Sequence, residues 1–221
     1  EKPACQTQSE LDNLIALSNS AGVIFVVNHS RRFDEHHQQL KSRICEGEFG
    51  ELQKVYATYY SGWRHNGVHI IDTLSYLLDD VILVKEVKNV SVSQYKSDPT
   101  LELVGEFKNK KAKIYLSEFD ENIYQIFEID LRFSEGRLRL EDFGERILLE
   151  KKYVNEFNEN IIKPVDVGLD KKKYTSMQHA IDLICRSIEE DDFDLLDGYL
   201  LQDVSETMLT IWQGQEMYEK S

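Results

Sequence analysis

The middle of the chain, from about residue 81 to residue 154, is a succession of strand-like runs rich in β-branched and aromatic residues. Several of these runs are separated by turn residues, at Asn109-Lys110, Glu121-Asn122, Glu135-Gly136 and Gly144. Within residues 127–133, apolar side chains alternate with Glu128, Asp130 and Arg132. Because successive side chains of a strand point to opposite faces, this pattern predicts a sheet with one face on a core and one in water.

Helical patterns flank this meander on both sides. Before it, the sequence predicts a helix from Thr7 to Gly22, a buried strand at VIFVV (23–27), a helix from its cap Asp34 to Gly47, a strand at 51–62 and a helix at 67–78. After it come a polar connector with Pro164 and Gly168, a helix at about 175–190 with Met177, Ile181, Ile184 and Ile188 on one stripe, and a helix at 199–212. This order indicates an α+β fold, with a large, mostly antiparallel open β-sheet and helices packed on one face. We expect one domain over residues 1–221.

Charge and cysteine content limit the class of partner. The 40 acidic and 26 basic residues give a formal net charge of −14, which argues against nucleic acid and anionic membranes. No apolar run approaches the length of a membrane span. The three cysteines are far apart and lack CxxC spacing, so we expect reduced thiols and a cytoplasmic protein. A small-molecule substrate is compatible with this composition.

The stretch WRHNGVHIIDTL (63–74) contains two histidines four residues apart. This is the spacing of a zincin helix, but that motif needs Glu after the first histidine, where this chain has Asn66. Gly67 also weakens a continuous helix, and no third ligand stands out, so we expect no metal.

Two other kinds of site are excluded by missing motifs. No two glycines are separated by a single residue, so the chain has neither GxGxxG nor a dinucleotide-binding unit of its own, and it has no Walker loop. No GxSxG elbow exists for a serine hydrolase either.

A proton relay is the third interpretation of the histidine stretch. At the N-terminal end of a helix, His69 could project into a pocket and exchange protons near neutral pH. Asp72, one turn later, could orient a neighbouring group or bind backbone. The alternative is that Asn66 caps the helix and His69 is a satisfied, partly buried histidine.

Four segments in order resemble one family: EKP (1–3), VVNHSRRFDE (26–35), EGEFGELQKV (46–55) and NGVHIIDTLSYLL (66–78). They look like the Gfo/Idh/MocA oxidoreductases, in which a Rossmann domain ends in EKP and is followed by an RRF-type motif, a GxIG turn and a G-x-H-x-x-D helix. The resemblance implies that this chain is the C-terminal domain, with residues 1–3 the end of a Rossmann domain that precedes Glu1. NAD or NADP would be bound mainly by that missing domain, and residues 1–221 alone are expected to be inactive.

The resemblance also assigns roles to residues. Lys2 would lie beside the nicotinamide and the reacting hydroxyl, as a catalytic and cofactor-binding residue, and His69 would be the acid/base. Candidate substrate contacts are Arg64, His65, Asn66 and Arg32. Either Arg31 or Arg32 could bind a cofactor phosphate or a substrate carboxylate, while the other could pair with Asp34 or Glu35.

One position departs from the family's pattern. Four residues before the catalytic histidine the family often has an aspartate, whereas this chain has His65. A second imidazole is a weaker, pH-dependent substitute for a carboxylate, which puts the standard relay and any standard polyol substrate in question. The leading hypothesis is hydride transfer between NAD(P) and a carbinol or ketone carbon of a sugar, cyclitol or sugar derivative. The alternative is a non-catalytic ligand sensor or assembly module.

The sheet is the expected contact between subunits. Alternation places Tyr56, Thr58 and Tyr60 on one face of the 51–62 strand, and Val55, Ala57 and Tyr59 on the other. Neither face is charged, so we expect both to be at least partly buried. The resemblance implies homodimers or homotetramers built sheet against sheet.

Overall fold

The computed structural model describes residues 3–91, 93–95 and 97–220. Within these ranges, eight strands form one sheet: β1 Leu52–Tyr60, β2 Ile82–Ser91, β3 Thr100–Phe107, β4 Lys113–Phe119, β5 Glu128–Phe133, β6 Gly136–Glu141, β7 Arg146–Val154 and β8 Asn160–Val165. Their order is β2-β3-β4-β1-β5-β6-β7-β8, with β1 and β4 parallel and all other neighbours antiparallel. The predicted large, mostly antiparallel sheet is confirmed.

Five α-helices accompany the sheet in the described ranges: α1 Gln8–Ala21, α2 Glu35–Cys45, α3 Val68–Leu78, α4 Ser176–Glu189 and α5 Ser205–Glu219. The caps explain where three of them begin. Thr7 accepts a hydrogen bond from the backbone of Glu10, and Asp34 accepts one from the backbone of His37. At α4, Thr175 and Gln178 form a reciprocal capping box.

The core lies between one face of the sheet and helices α2, α3 and α5. Val55, Ala57 and Tyr59 of β1 belong to it, together with nearly all of α3 and Ile211 of α5. On the opposite face of β1, Tyr56, Thr58 and Tyr60 are half-buried. The α+β fold with helices on one face of an open sheet is therefore confirmed, and so is the predicted alternation along β1.

The predicted buried strand at 23–27 is wrong. Val23 and Ile24 are 59% and 38% exposed, and the segment makes one isolated antiparallel bridge, between Val26 and Leu200. Val27 is buried in a small cluster with α1 and α5. An apolar run forms a strand only if a neighbouring strand offers backbone partners along its length. In the described part of the chain, the backbone of this segment bonds to the short stretch 199–201, which is not a strand of the sheet.

Three features of the C-terminal part differ from the expectations. The polar connector contains β8, which holds Pro164 because β8 is an edge strand and needs no ladder donor there. The last helix begins at Ser205 rather than 199. On α4, Met177, Ile181 and Ile188 face outward, while Ala180, Leu183 and Ser187 are buried.

Two properties concern the whole chain. Cys5, Cys45 and Cys185 are all free thiols, and burial raises the pKa of the Cys5 thiol to about 11. Among the residues that the structure describes, none of the helices has the length and apolar character needed to span a membrane.

Candidate active site

The WRHNG stretch forms one turn of π-helix, Trp63–Gly67, between β1 and α3. Trp63 anchors this turn: it is fully buried, and its Nε1 donates to the Ile211 carbonyl at 2.8 Å. A Cβ at Gly67 would lie only 2.6 Å from the indole, so glycine is required for this close approach. Single π-helical turns are rare and occur frequently at functional sites.

Asp98, from the loop before β3, caps the π-turn. Its two carboxylate oxygens accept the backbone N–H groups of Arg64 and His65, each at 2.8 Å. Gly62 allows the carboxylate to approach, because a Cβ there would lie 2.4 Å from Oδ2 of Asp98. The backbone of the turn is thus tied to β3, and Asn66 is not the cap: the residue before α3 is Gly67, which makes no side-chain cap.

His65 is held by a tyrosine from the same loop. The Tyr95 hydroxyl lies 2.9 Å from Nε2 of His65, and the ring centroids are 4.2 Å apart. Arg64 donates through Nη2 to the Ser97 carbonyl at 2.7 Å, and its Nε is 3.5 Å from Asp98. Asn66 is half-buried beside them.

A pocket of about 290 Å³ opens at this surface. Arg64, His65 and Tyr95 line it on one side, and Pro3 brings the N-terminal segment to the same wall. Lys2 lies outside the described residues, so its predicted position beside the reacting oxygen stays a prediction. Within the described ranges, no group of His, Cys, Asp and Glu side chains is arranged to hold a metal ion.

His69 stands one turn beyond His65, at the start of α3, and is half-buried. Its ring is packed edge-on against that of His29, with centroids 6.3 Å apart. His29 is 2% exposed, and its Nδ1 lies 3.5 Å from Oδ2 of Asp72. The buried carboxylate of Asp72 therefore lies next to His29, and the His29 ring contacts His69, the candidate acid/base.

Asp72 is the centre of this buried network. Its carboxylate accepts bonds from Nε of Arg32 at 3.0 and 3.1 Å and from the Thr207 hydroxyl at 3.1 Å. Removing either partner of this buried ion pair would destabilise the protein, because it would leave a buried charge unpaired. Arg32 also donates to the Gly198 carbonyl, so its guanidinium is engaged inside the protein. Its predicted contact with substrate stays a prediction.

Arg31 lies on the other side of the 3₁₀ turn Ser30–Phe33. Its guanidinium stacks over Phe127 at 3.8 Å and donates to the Phe143 carbonyl. Burial lowers the pKa of Arg31 to about 10, although Asp72, Asp34 and Glu145 oppose the shift. Asp34 pairs with His37 and Lys172 rather than with either arginine.

Sequence reasoning missed three residues of this site. Asp98 and Tyr95 are about 30 residues from the histidines, and nothing in the sequence near them signals a contact. His29 lies within the NHSRRF segment, but a lone histidine there carries no signal of its own.

No family model and no curated protein match this chain. Solved structures match it over nearly its whole length. An aldose-aldose oxidoreductase from Caulobacter crescentus, complexed with glycerol, has a TM-score of 0.76 at 13% identity, covering 99% of this chain and 69% of its own. A mutant of KijD10, a 3-ketoreductase from Actinomadura kijaniata in complex with TDP-benzene and NADP, scores 0.73 at 12% identity, covering 97% and 67%. The super-repressor mutant of Gal80p from Saccharomyces cerevisiae scores 0.69 at 14% identity, covering 98% and 68%.

Proposed function

We propose that this chain, which has the fold of the C-terminal domain of Gfo/Idh/MocA oxidoreductases, is the substrate-binding and catalytic part of an NAD(P)-dependent oxidoreductase. The observation that carries the proposal is the pocket in which Pro3, next to Lys2, meets Arg64 and His65 on the turn that leads into His69. Alcohol oxidation and ketone reduction require a group that stabilises charge on the reacting oxygen and a group that exchanges its proton, which are the roles proposed for Lys2 and His69.

The residues divide the work as follows. Lys2 hydrogen-bonds the reacting oxygen and stabilises its developing alkoxide charge. His69 takes the proton from that oxygen in oxidation and returns it in reduction. Arg64, His65 and Asn66 bind and orient the substrate, a sugar, cyclitol or sugar derivative. The cofactor supplies the hydride acceptor or donor, and the glycine loop that binds its phosphates would lie on a domain preceding Glu1, because this chain has no such loop.

The buried network supports the assignment of His69. Asp72 pairs with Arg32 inside the protein, and His29 lies beside Asp72 and packs against His69. The network holds the His29 ring against His69, which supports a fixed position for the proposed acid/base.

Kinetics of site variants test the proposal. In the protein extended upstream of Glu1, Lys2→Ala and His69→Ala should each lower kcat about 100-fold or more, the usual effect of removing a positioned acid or base. Thr73→Ala, which removes a hydroxyl bonded to the His69 backbone carbonyl, is the matched control and should leave kcat within a fewfold of wild type. Wild-type kcat in either site variant would refute the role of that residue.

The second candidate is a family member that binds ligands without catalysis. Two observations favour it: His65 replaces the aspartate often found in the family, and one structural neighbour is a repressor. The presence of both Lys2 and His69 speaks against it. Hydride transfer by the extended protein separates the two, because a sensor would bind NAD(P)H and show no turnover.

The open face of the sheet supports a subunit interface. Tyr56 and Tyr115 stack there with ring centroids 5.3 Å apart, and Arg132 lies over Tyr56 at 4.6 Å. Asp130 pairs with Arg132 on the same strand and with Arg137 on the neighbouring strand β6. These side chains already hold one another in place. A second copy related by a two-fold axis can therefore pack on them at a small cost in side-chain conformational entropy. We propose a homodimer or homotetramer through this face, and the three free cysteines support a cytoplasmic location.

A further inference from the structure

The loop before β3 holds His65 in two ways. Asp98 binds the backbone N–H of His65, and the Tyr95 hydroxyl meets its ring. Ser93 links these two loop residues: its hydroxyl accepts from the Tyr95 backbone at 3.0 Å and donates to the Asp98 carbonyl at 2.7 Å. The Asp98 backbone in turn donates to the Tyr95 carbonyl at 2.8 Å. A single internally bonded loop therefore sets both the backbone and the ring of His65.

Chemistry decides which partner donates in the contact between Tyr95 and His65. A phenol has one acidic O–H, and its oxygen is a weak acceptor because the lone pair is shared with the ring. An imidazole nitrogen without a proton is a strong acceptor. The better pairing has the Tyr95 hydroxyl donating to Nε2, and the proton of the neutral ring then resides on Nδ1.

We propose that Tyr95 is a positioning residue of the site, which donates to Nε2 of His65 and holds this histidine as its Nδ1–H tautomer. Among the described residues, Arg64 and Asp98 are charged side chains close to this ring and face each other across 3.5 Å, and His69 lies one turn away. Where the family often has an aspartate, this chain then presents an imidazole whose orientation is fixed by a phenol. The effect of Tyr95 on catalysis rests on the proposed function, whereas the tautomer of His65 is independent of it.

Nuclear magnetic resonance tests the tautomer directly on residues 1–221. Two-bond ¹H–¹⁵N correlations of the ¹⁵N-labelled protein above the titration range of histidine should identify His65 as the Nδ1–H form. Tyr95→Phe keeps the ring contact and removes the hydroxyl, so His65 should revert to the Nε2–H form that predominates in free histidine. Tyr153→Phe, which alters an exposed tyrosine, is the control and should change nothing. An Nε2–H tautomer in the wild type, or an Nδ1–H tautomer that persists in Tyr95→Phe, would overturn the proposal.

Kinetics supply an independent readout in the extended protein, with D-glucose and NADP⁺ as the probes. Tyr95→Phe should raise KM about fivefold, the effect of one net hydrogen bond, with kcat within twofold of wild type. In a His65→Ala background the same substitution should have no further effect, because Tyr95 acts through the imidazole. Equal effects in both backgrounds would overturn the proposal. Failure of all variants to turn over would count against the proposed function, while the tautomer measurement still decides the role of Tyr95.

Discussion

Removing the carboxylate of Asp98 tests whether a distant loop holds the candidate active site in place. Asp98→Ala leaves the backbone N–H groups of Arg64 and His65 without their acceptor in a partly buried turn. Each unsatisfied group costs about 1–3 kcal/mol, and partial access of water to the turn favours the lower part of that range. The free energy of unfolding should therefore fall by about 2–4 kcal/mol.

The assay is urea denaturation together with thermal unfolding. For a chain of this size, the loss corresponds to a Tm lowered by about 5–15 °C. Hydrogen exchange should also accelerate at the amides of Arg64 and His65, because local opening of the turn becomes easier.

Asp120→Ala is the matched control for this experiment. Asp120 also accepts two N–H groups, both from Asn122, but in an exposed turn where water replaces it. It should change the free energy of unfolding by less than about 0.5 kcal/mol. If Asp98→Ala were as mild as Asp120→Ala, Asp98 would not hold the π-turn, and the account of how this site is positioned would fail.

Three further predictions concern the site, the assembly and the pH dependence of stability. His65→Asp restores the residue often found in the family. A rise in polyol oxidation would show that the native histidine serves another substrate. Loss of activity on all substrates would show that His65 is itself a functional residue of the site. Residues 1–221 should sediment as a dimer at tens of micromolar. Tyr56→Lys on the open sheet face should give a monomer, whereas the control Tyr153→Lys should remain a dimer. A monomeric wild type would contradict the proposed interface. Burial alone would raise the pKa of Asp34, but hydrogen bonds from His37 and Lys172 outweigh it and hold that pKa well below its usual range. The stabilisation is therefore complete above the unfolded pKa of about 3.9 and is lost as the pH falls below it. Asp34→Asn should thus destabilise the protein more at pH 7 than at pH 3.5, and a constant difference would exclude this linkage.

The sequence predicted correctly those elements whose burial or capping depends on residues within the same segment. The alternation in β5 placed Ile129 and Leu131 in the core and Glu128 outside, as the structure has them. The caps at Thr7 and Asp34 marked the starts of α1 and α2, because a cap is satisfied within a few residues of itself.

Elements that depend on distant neighbours were not predictable in this way. The VIFVV segment has strand composition, but composition does not say whether backbone partners exist. The segment with Pro164 was predicted to be a polar connector. It forms β8 because it lies at the sheet edge, a position that depends on the order of all eight described strands.

The candidate site divides in the same manner. His65 and His69 could be found because they share one helical stretch, and Asp72 because it lies one turn further. Tyr95, Asp98 and His29 reach the site only through the packing of β3 and of the segment before α2. Their contacts join residues that are 30 to 40 positions apart, and no periodic pattern in the sequence predicts such contacts.

The central claim, that this chain supplies His69 as the proton-exchanging group of a hydride-transfer reaction, is tested most directly by following the hydride itself. The protein extended upstream of Glu1 would be incubated with NADPH or NADH that carries deuterium at both C4 positions and with a panel of keto sugars and keto cyclitols, and the products analysed by mass spectrometry. We predict an alcohol product that carries one deuterium with the wild type and is reduced about 100-fold in rate with His69→Ala. Absence of deuterium from every product, with the dinucleotide demonstrably bound, would contradict the account and identify the protein as a non-catalytic sensor.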